Sequence, residues 1–79
     1  MIDSEILSKI KTILDCFYFR NRSMLPITEL NKLHQQLFPA SNFIECLNSA
    51  YRVYLVKKID TNGITYLILD KLQVRELFS

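Results

Sequence analysis

Between Val53 and Leu69 two runs of apolar, β-branched and aromatic residues flank Asn62-Gly63. Both turn residues tolerate positive φ, and a two-residue turn of that kind twists as the flanking strands do. The pattern predicts a β-hairpin over about 53–69. Leu55 and Val56 make its inner end apolar on both faces, whereas Lys57 and Lys58 make its distal end polar. An isolated hairpin is marginal in water, so the rest of the chain must supply a core beneath it.

That remainder reads as helices. Ile6, Leu7, Ile10, Ile13, Leu14, Phe17 and Tyr18 recur at helical spacing and predict an amphipathic helix over about 4–19. Asp3 or Ser4 caps it, and Glu5 suits the positive end of its dipole. Phe19 then points away from the buried stripe. Arg20-Asn21-Arg22-Ser23 breaks the pattern and reads as a loop. Leu25-Pro26-Ile27 is short and extended, because a residue before proline avoids the helical region. Thr28 is the expected N-cap of a second helix over about 29–37, with Leu30, Leu33 and Leu37 inside and Pro39 ending it. Ser41 or Asn42 opens a third helix over about 42–52. Asn42 and Glu45 have the spacing of a capping box. Phe43, Leu47, Ala50 and Tyr51 form its stripe, which Ile44 widens. The outward positions are then Asn42, Glu45, Cys46, Asn48, Ser49 and Arg52. Asp70 caps a last amphipathic segment over about 71–78 with Leu72, Leu77 and Phe78. The fold class is therefore α+β, one domain over 1–79, with no visible linker: a whole small protein or one domain of a longer one.

Composition narrows the chemistry. Of the 79 residues, 49% are hydrophobic and 23% charged, as in globular domains and unlike disordered chains. Cys16 and Cys46 lack paired spacing and have one histidine, His34, for company, so no zinc site is expected. They read as free, buried thiols of a reducing compartment. No cofactor, small-molecule substrate or catalysis is expected either: phosphate loop, HExxH and Ser/His/Asp set are all missing from the sequence. His34, beside Gln35 and Gln36, reads as a solvated polar position without the partner a general base needs. No apolar run reaches the roughly 18 residues of a membrane span, and Met1-Ile2-Asp3-Ser4-Glu5 has no basic leader region. An intracellular protein, nuclear or cytoplasmic, is expected.

The order helix, short strand, helix, turn, helix, hairpin resembles the winged-helix fold over about residues 4–69. Leu25 to Leu30 falls where such domains place the short first strand and the start of helix two. Asn42 to Arg52 falls on the recognition helix, and Asp60-Thr61-Asn62-Gly63 on the tip of the wing. The resemblance implies a three-helix core, a short first strand, a C-terminal hairpin wing and, here, a short C-terminal helix. Leu25 to Phe38 is similar to LOTUS-type winged helices, which bind RNA or a helicase partner. The chain departs from those by lacking their Gly-Phe step after helix two and by having a well-formed wing. It is also similar to winged helices appended to single-strand-binding or replication subunits, which recruit protein partners.

Two functional readings follow. In the first, the chain docks a protein partner, because nine aromatics exceed what so small a core needs. Phe19, Tyr51, Tyr54, Tyr66 and Phe78 are the candidate anchors, with Leu77 beside Phe78. In the alternative, helix three enters a nucleic-acid groove. Asn48 then reads adenine and Arg52 guanine or a phosphate, with Ser49 on the same face, while Lys32, Lys57, Lys58, Arg20 and Arg22 hold phosphates. Charge argues against the alternative. The net charge of +2 is spread evenly, with five Lys/Arg and four Asp/Glu in each half of the chain. The isoelectric point near 8.6 lies below the range of dedicated nucleic-acid binders. Lys57 and Lys58 also serve to keep an exposed hairpin from pairing edge to edge.

Overall fold

The computed structural model describes residues 3–79. The elements run α1 (Ser4–Arg20), β1 (Met24–Pro26), α2 (Ile27–Leu37), α3 (Phe43–Arg52), β2 (Val56–Thr61), β3 (Ile64–Leu69) and α4 (Lys71–Phe78). The strands form one antiparallel sheet in the order β1-β3-β2. The class is thus α+β, with four helices and a three-stranded sheet, an arrangement compatible with a winged helix.

Local chemistry accounts for the element ends. Asp3 accepts from the Ile6 N–H at 2.9 Å, Asn42 from the Glu45 N–H at 3.0 Å and Asp70 from the Gln73 N–H at 3.0 Å. Each satisfies one of the orphan donors of a helix start. Helix α2 differs from expectation: it begins one residue before Thr28, with Pro26 at the cap position and no side-chain cap. Proline's fixed φ, –59° here, suits a helix entry and its missing N–H removes one orphan donor, while the first N–H groups of α2 receive no side-chain cap. The hairpin turn is as expected. Thr61 pairs with Ile64, and Asn62 and Gly63 both have positive φ, at 51° and 74°. The strands begin later than expected, at Val56, because 53–55 close α3.

That closure is unusual. The Leu55 N–H bonds the Ala50 carbonyl at 2.9 Å and the Tyr54 N–H bonds the Tyr51 carbonyl at 3.1 Å. This is the two-bond helix stop that places a left-handed residue just past the helix end, normally glycine. Here the residue is Tyr54, at φ 60°. The same stop ends α1 at Asn21 (φ 54°), where Arg22 bonds the Phe17 carbonyl. Asparagine tolerates that region, whereas tyrosine enters it at a cost of roughly 1–2 kcal/mol.

The core lies between the helices and one face of the sheet. Ile10, Ile13 and Phe17 of α1, Leu30 and Leu33 of α2, and Leu47 and Ala50 of α3 meet Leu25, Leu55, Val56, Leu67 and Leu69. Cys16 and Cys46 are free and buried among them. Burial, then Asp15 and Cys46, push the Cys16 thiol up to about 11. It is thus protonated and unreactive at neutral pH.

Several side chains depart from the expected stripes. Tyr18 and Ile44 are mostly exposed, and Leu72 is 73% exposed. In α4 it is Val74 and Leu77 that pack against the core. Tyr18 borders an open groove at the end of α1, and Ile44 lies outside the buried stripe of α3, which is Phe43, Cys46, Leu47, Ser49 and Ala50. Leu37, at the last turn of α2, sits at the margin of the core.

Replacing Tyr54 with glycine should raise stability by about 0.5–1 kcal/mol, since the strain of a left-handed residue exceeds the entropy cost of glycine. Chemical denaturation of Tyr54→Gly measures this. A loss of stability would show that the ring contributes packing that its exposure hides.

Candidate docking surface

The alternation of the strands sorts their side chains between two faces. Val56, Leu67 and Leu69 face the helices, with Lys58, Asp60 and Thr65 beyond them on the same side. The other face is built from cross-strand rows. Met24, Ile68 and Lys57 form the first; Pro26, Tyr66 and Ile59 the second; Ile64 and Thr61 close the tip. Met24, Ile59 and Ile64 are each 44–46% exposed, and Tyr66 and Ile68 are half-buried. Among the described residues no helix packs across this face. The outer sheet face is therefore apolar, apart from Lys57 and Thr61, and uncovered.

Beside the Met24 row lies an open groove of about 610 Å³ between the end of α1, the start of β1 and α4. Tyr18, Arg22, Met24, Lys71, Val74 and Arg75 line it, with Asn21, Ser23 and Leu69 completing the wall. It holds three cations and no carboxylate. Two other hollows differ in charge. One has Arg20 and Lys32 around Glu29, one of whose carboxylate oxygens is buried without a partner. The other, between α2 and the start of α3, is lined by Asn31, Gln35, Asn42 and Ile44 among others and carries no charged residue.

The expected anchors are divided among different surfaces. Tyr66 stands on the outer sheet face. Tyr51 is half-buried on the helix side; burial and the Asp60 carboxylate raise its phenol above the ordinary value. Tyr54, 73% exposed, lies just past it at the α3 end. Tyr51, Tyr54 and Tyr66 therefore do not flank one groove. Phe19 is 61% exposed, as its position predicts, with the Arg20 guanidinium 5.6 Å from its ring centre. Phe78 is partly exposed at the end of α4, and Leu77 is half-buried.

The nucleic-acid set is also rearranged. Cys46 and Ser49, expected to face outward, are buried against the core, so Ser49 is unavailable for contact. The stripe of α3 is wider on that side than Phe43, Leu47 and Ala50 suggest. Its open face keeps Ile44, Glu45, Asn48 and Arg52. Lys57 and Lys58 are both exposed but point to opposite faces of the hairpin, Lys58 alone on the side of α3. Lys32 is exposed on α2. Sequence reading missed the convergence of Lys71 and Arg75 with Arg22. Their i,i+4 spacing places both on one face of α4, but only the tertiary structure puts Arg22 opposite.

His34 is not a solvated position. It is fully buried between Phe38 and Phe43, with ring centres 5.5 and 5.4 Å away. Thr12 Oγ1 donates to the Lys9 carbonyl at 2.6 Å and accepts from His34 Nε2 at 2.9 Å. Nδ1 is left buried without a partner. A proton there would place a charge among aromatic rings, so burial lowers the His34 pKa below its ordinary value. Above about pH 6.5 both folded and unfolded states hold it neutral. Below that the unfolded state takes up the proton first, and stability falls by at most about 1.4 kcal/mol per pH unit until the folded-state pKa is passed. Denaturant midpoints should therefore drop from pH 7.5 to 5.5 in the native chain and stay level in His34→Leu. A level native profile would refute the assignment.

Compared with models of known families, with curated proteins and with solved structures, the chain gives no significant match, so its surfaces are read from their own chemistry.

Proposed function

We propose that this chain is a winged-helix interaction module without catalytic activity, which docks a partner protein within a nucleic-acid-handling assembly. One observation carries the reading: the outer sheet face, with Met24, Ile59, Ile64, Tyr66 and Ile68, is apolar and open. Side chains of this kind gain about 25 cal/mol for each Å² they remove from water. A contiguous patch of them on a small domain marks a contact surface. The assembly is inferred from the resemblance to winged helices of single-strand-binding and replication subunits. In nuclear or cytoplasmic surroundings the free thiols Cys16 and Cys46 would persist reduced.

The second reading, duplex DNA or RNA binding through α3 and the wing, draws on the exposure of Asn48, Arg52 and Lys58. Glu45 opposes Arg52 in charge on the same face, and phosphate contacts supply most of the affinity in such complexes.

The two are separated by paired measurements. Labelled duplex and single-stranded oligonucleotides should show no micromolar binding by anisotropy at about 50 mM salt. Binding that weakens sharply by about 200 mM, and that Arg52→Glu with Lys58→Glu removes, would put the second reading in place of the first. In affinity capture followed by mass spectrometry, Ile59→Asp with Ile64→Asp should lose the proteins that the native chain retains, while the Arg52/Lys58 variant keeps them.

A further inference from the structure

We propose that the groove between α1, β1 and α4 binds an acidic segment of the partner, with carboxylates on Arg22, Lys71 and Arg75 and an apolar side chain against Met24 and Tyr18. The inference rests on the docking reading above and adds the chemistry of the partner.

Three observations point to an anion. The cations have no counter-charge: no carboxylate lines the groove, and the ion pair found among the described residues, Lys9 with Glu5 at 3.7 Å, lies in the first half of α1. Asp70, the nearest acid in sequence to Lys71, uses Oδ1 to cap α4. Backbone acceptors at the rim are also occupied. Arg22 N–H bonds the Phe17 carbonyl, Asn21 N–H the Tyr18 carbonyl and Leu69 N–H the Ser23 carbonyl. These bonds occupy backbone N–H groups as well as carbonyls, so the donors left to the groove are the side chains of Arg22, Lys71 and Arg75. Finally, Lys71 and Arg75 stand i,i+4 on one helix, where like charges destabilise. A carboxylate between them reverses the sign of that interaction, and the Arg22 and Arg75 guanidiniums match a carboxylate in two-bond geometry.

The apolar part of the groove favours a peptide over a polynucleotide. Met24 is shared with the outer sheet face through its pairing with Ile68. Groove and face are therefore continuous, basic at one end and, apart from Lys57 and Thr61, apolar along the rest. A segment mixing Asp or Glu with Leu, Ile or Phe fits both parts. A nucleic acid carries charge at every phosphate and gains nothing from the isoleucine rows.

A displayed random-peptide library selected against the whole chain tests this. Enriched peptides should combine acidic with large apolar residues. One synthesised consensus peptide should bind the native chain with salt-sensitive affinity and lose about tenfold or more on Arg22→Glu with Arg75→Glu, as expected for charge-assisted hydrogen bonds. Circular dichroism melts of the variant check that it is folded. Enriched peptides without acid, or unaffected by the charge reversal, overturn the inference. If those same peptides are lost on Ile59→Asp with Ile64→Asp, the docking reading survives its failure. Absence of any enrichment overturns both. Tight binding of a labelled oligothymidylate that the Arg22/Arg75 variant abolishes would assign the groove to single-stranded nucleic acid instead.

Discussion

The pairing of β1 with β3 is the contact on which the rest of the molecule depends. It sets Leu25 opposite Leu67, both fully buried, and joins residues far apart in the chain. Closing so long a loop costs entropy that only the assembled core repays. Once closed, it holds α2 against the sheet, where α3 adjoins β2 and α1 packs across α3 and α2. The same register decides that Met24, Tyr66 and Ile68 face the other way. It also carries Arg22, two residues before β1, to the end of β3 and so to the start of α4.

The core and the open face compete for the same kind of residue. Fully burying one isoleucine is worth roughly 1.5–3 kcal/mol, against total stabilities of only about 5–15 kcal/mol for domains in general. Leaving Ile59 and Ile64 half exposed on a 79-residue chain forgoes a sizeable part of such a margin. Their exposure is accounted for if a partner covers them. Tyr54, left-handed and 73% exposed at the α3 end, carries a further backbone cost.

Charge adds a direction to the surface. The face of α3 that a groove-reading helix would use carries one arginine and one glutamate, whereas three cations line one groove beside the sheet without a carboxylate. An evenly spread net charge in sequence thus becomes an uneven one in space. The small size of the domain makes this possible, since α4 is tied back by Gln73 donating to the Val53 carbonyl at 2.7 Å and Asp70 N–H to that of Leu55 at 2.8 Å.

The sequence by itself determined the elements, because their causes are local. Asn62-Gly63 sets the hairpin, Asp3, Asn42 and Asp70 start three helices, and Pro39 follows the end of another. Periodicity located most of the core for the same reason. It could not decide between the two sides of β3, whose Thr65, Leu67 and Leu69 alternate with the equally apolar Ile64, Tyr66 and Ile68. A strand apolar on both faces has no preferred inside until β1 pairs with it. Nor could composition distinguish a solvated His34 from one enclosed by Phe38 and Phe43, since those rings arrive from the end of α2 and from α3. The groove was hidden for the same physical reason: Arg22, Lys71 and Arg75 become neighbours only through the sheet order, which is a property of long-range packing and not of any local stretch.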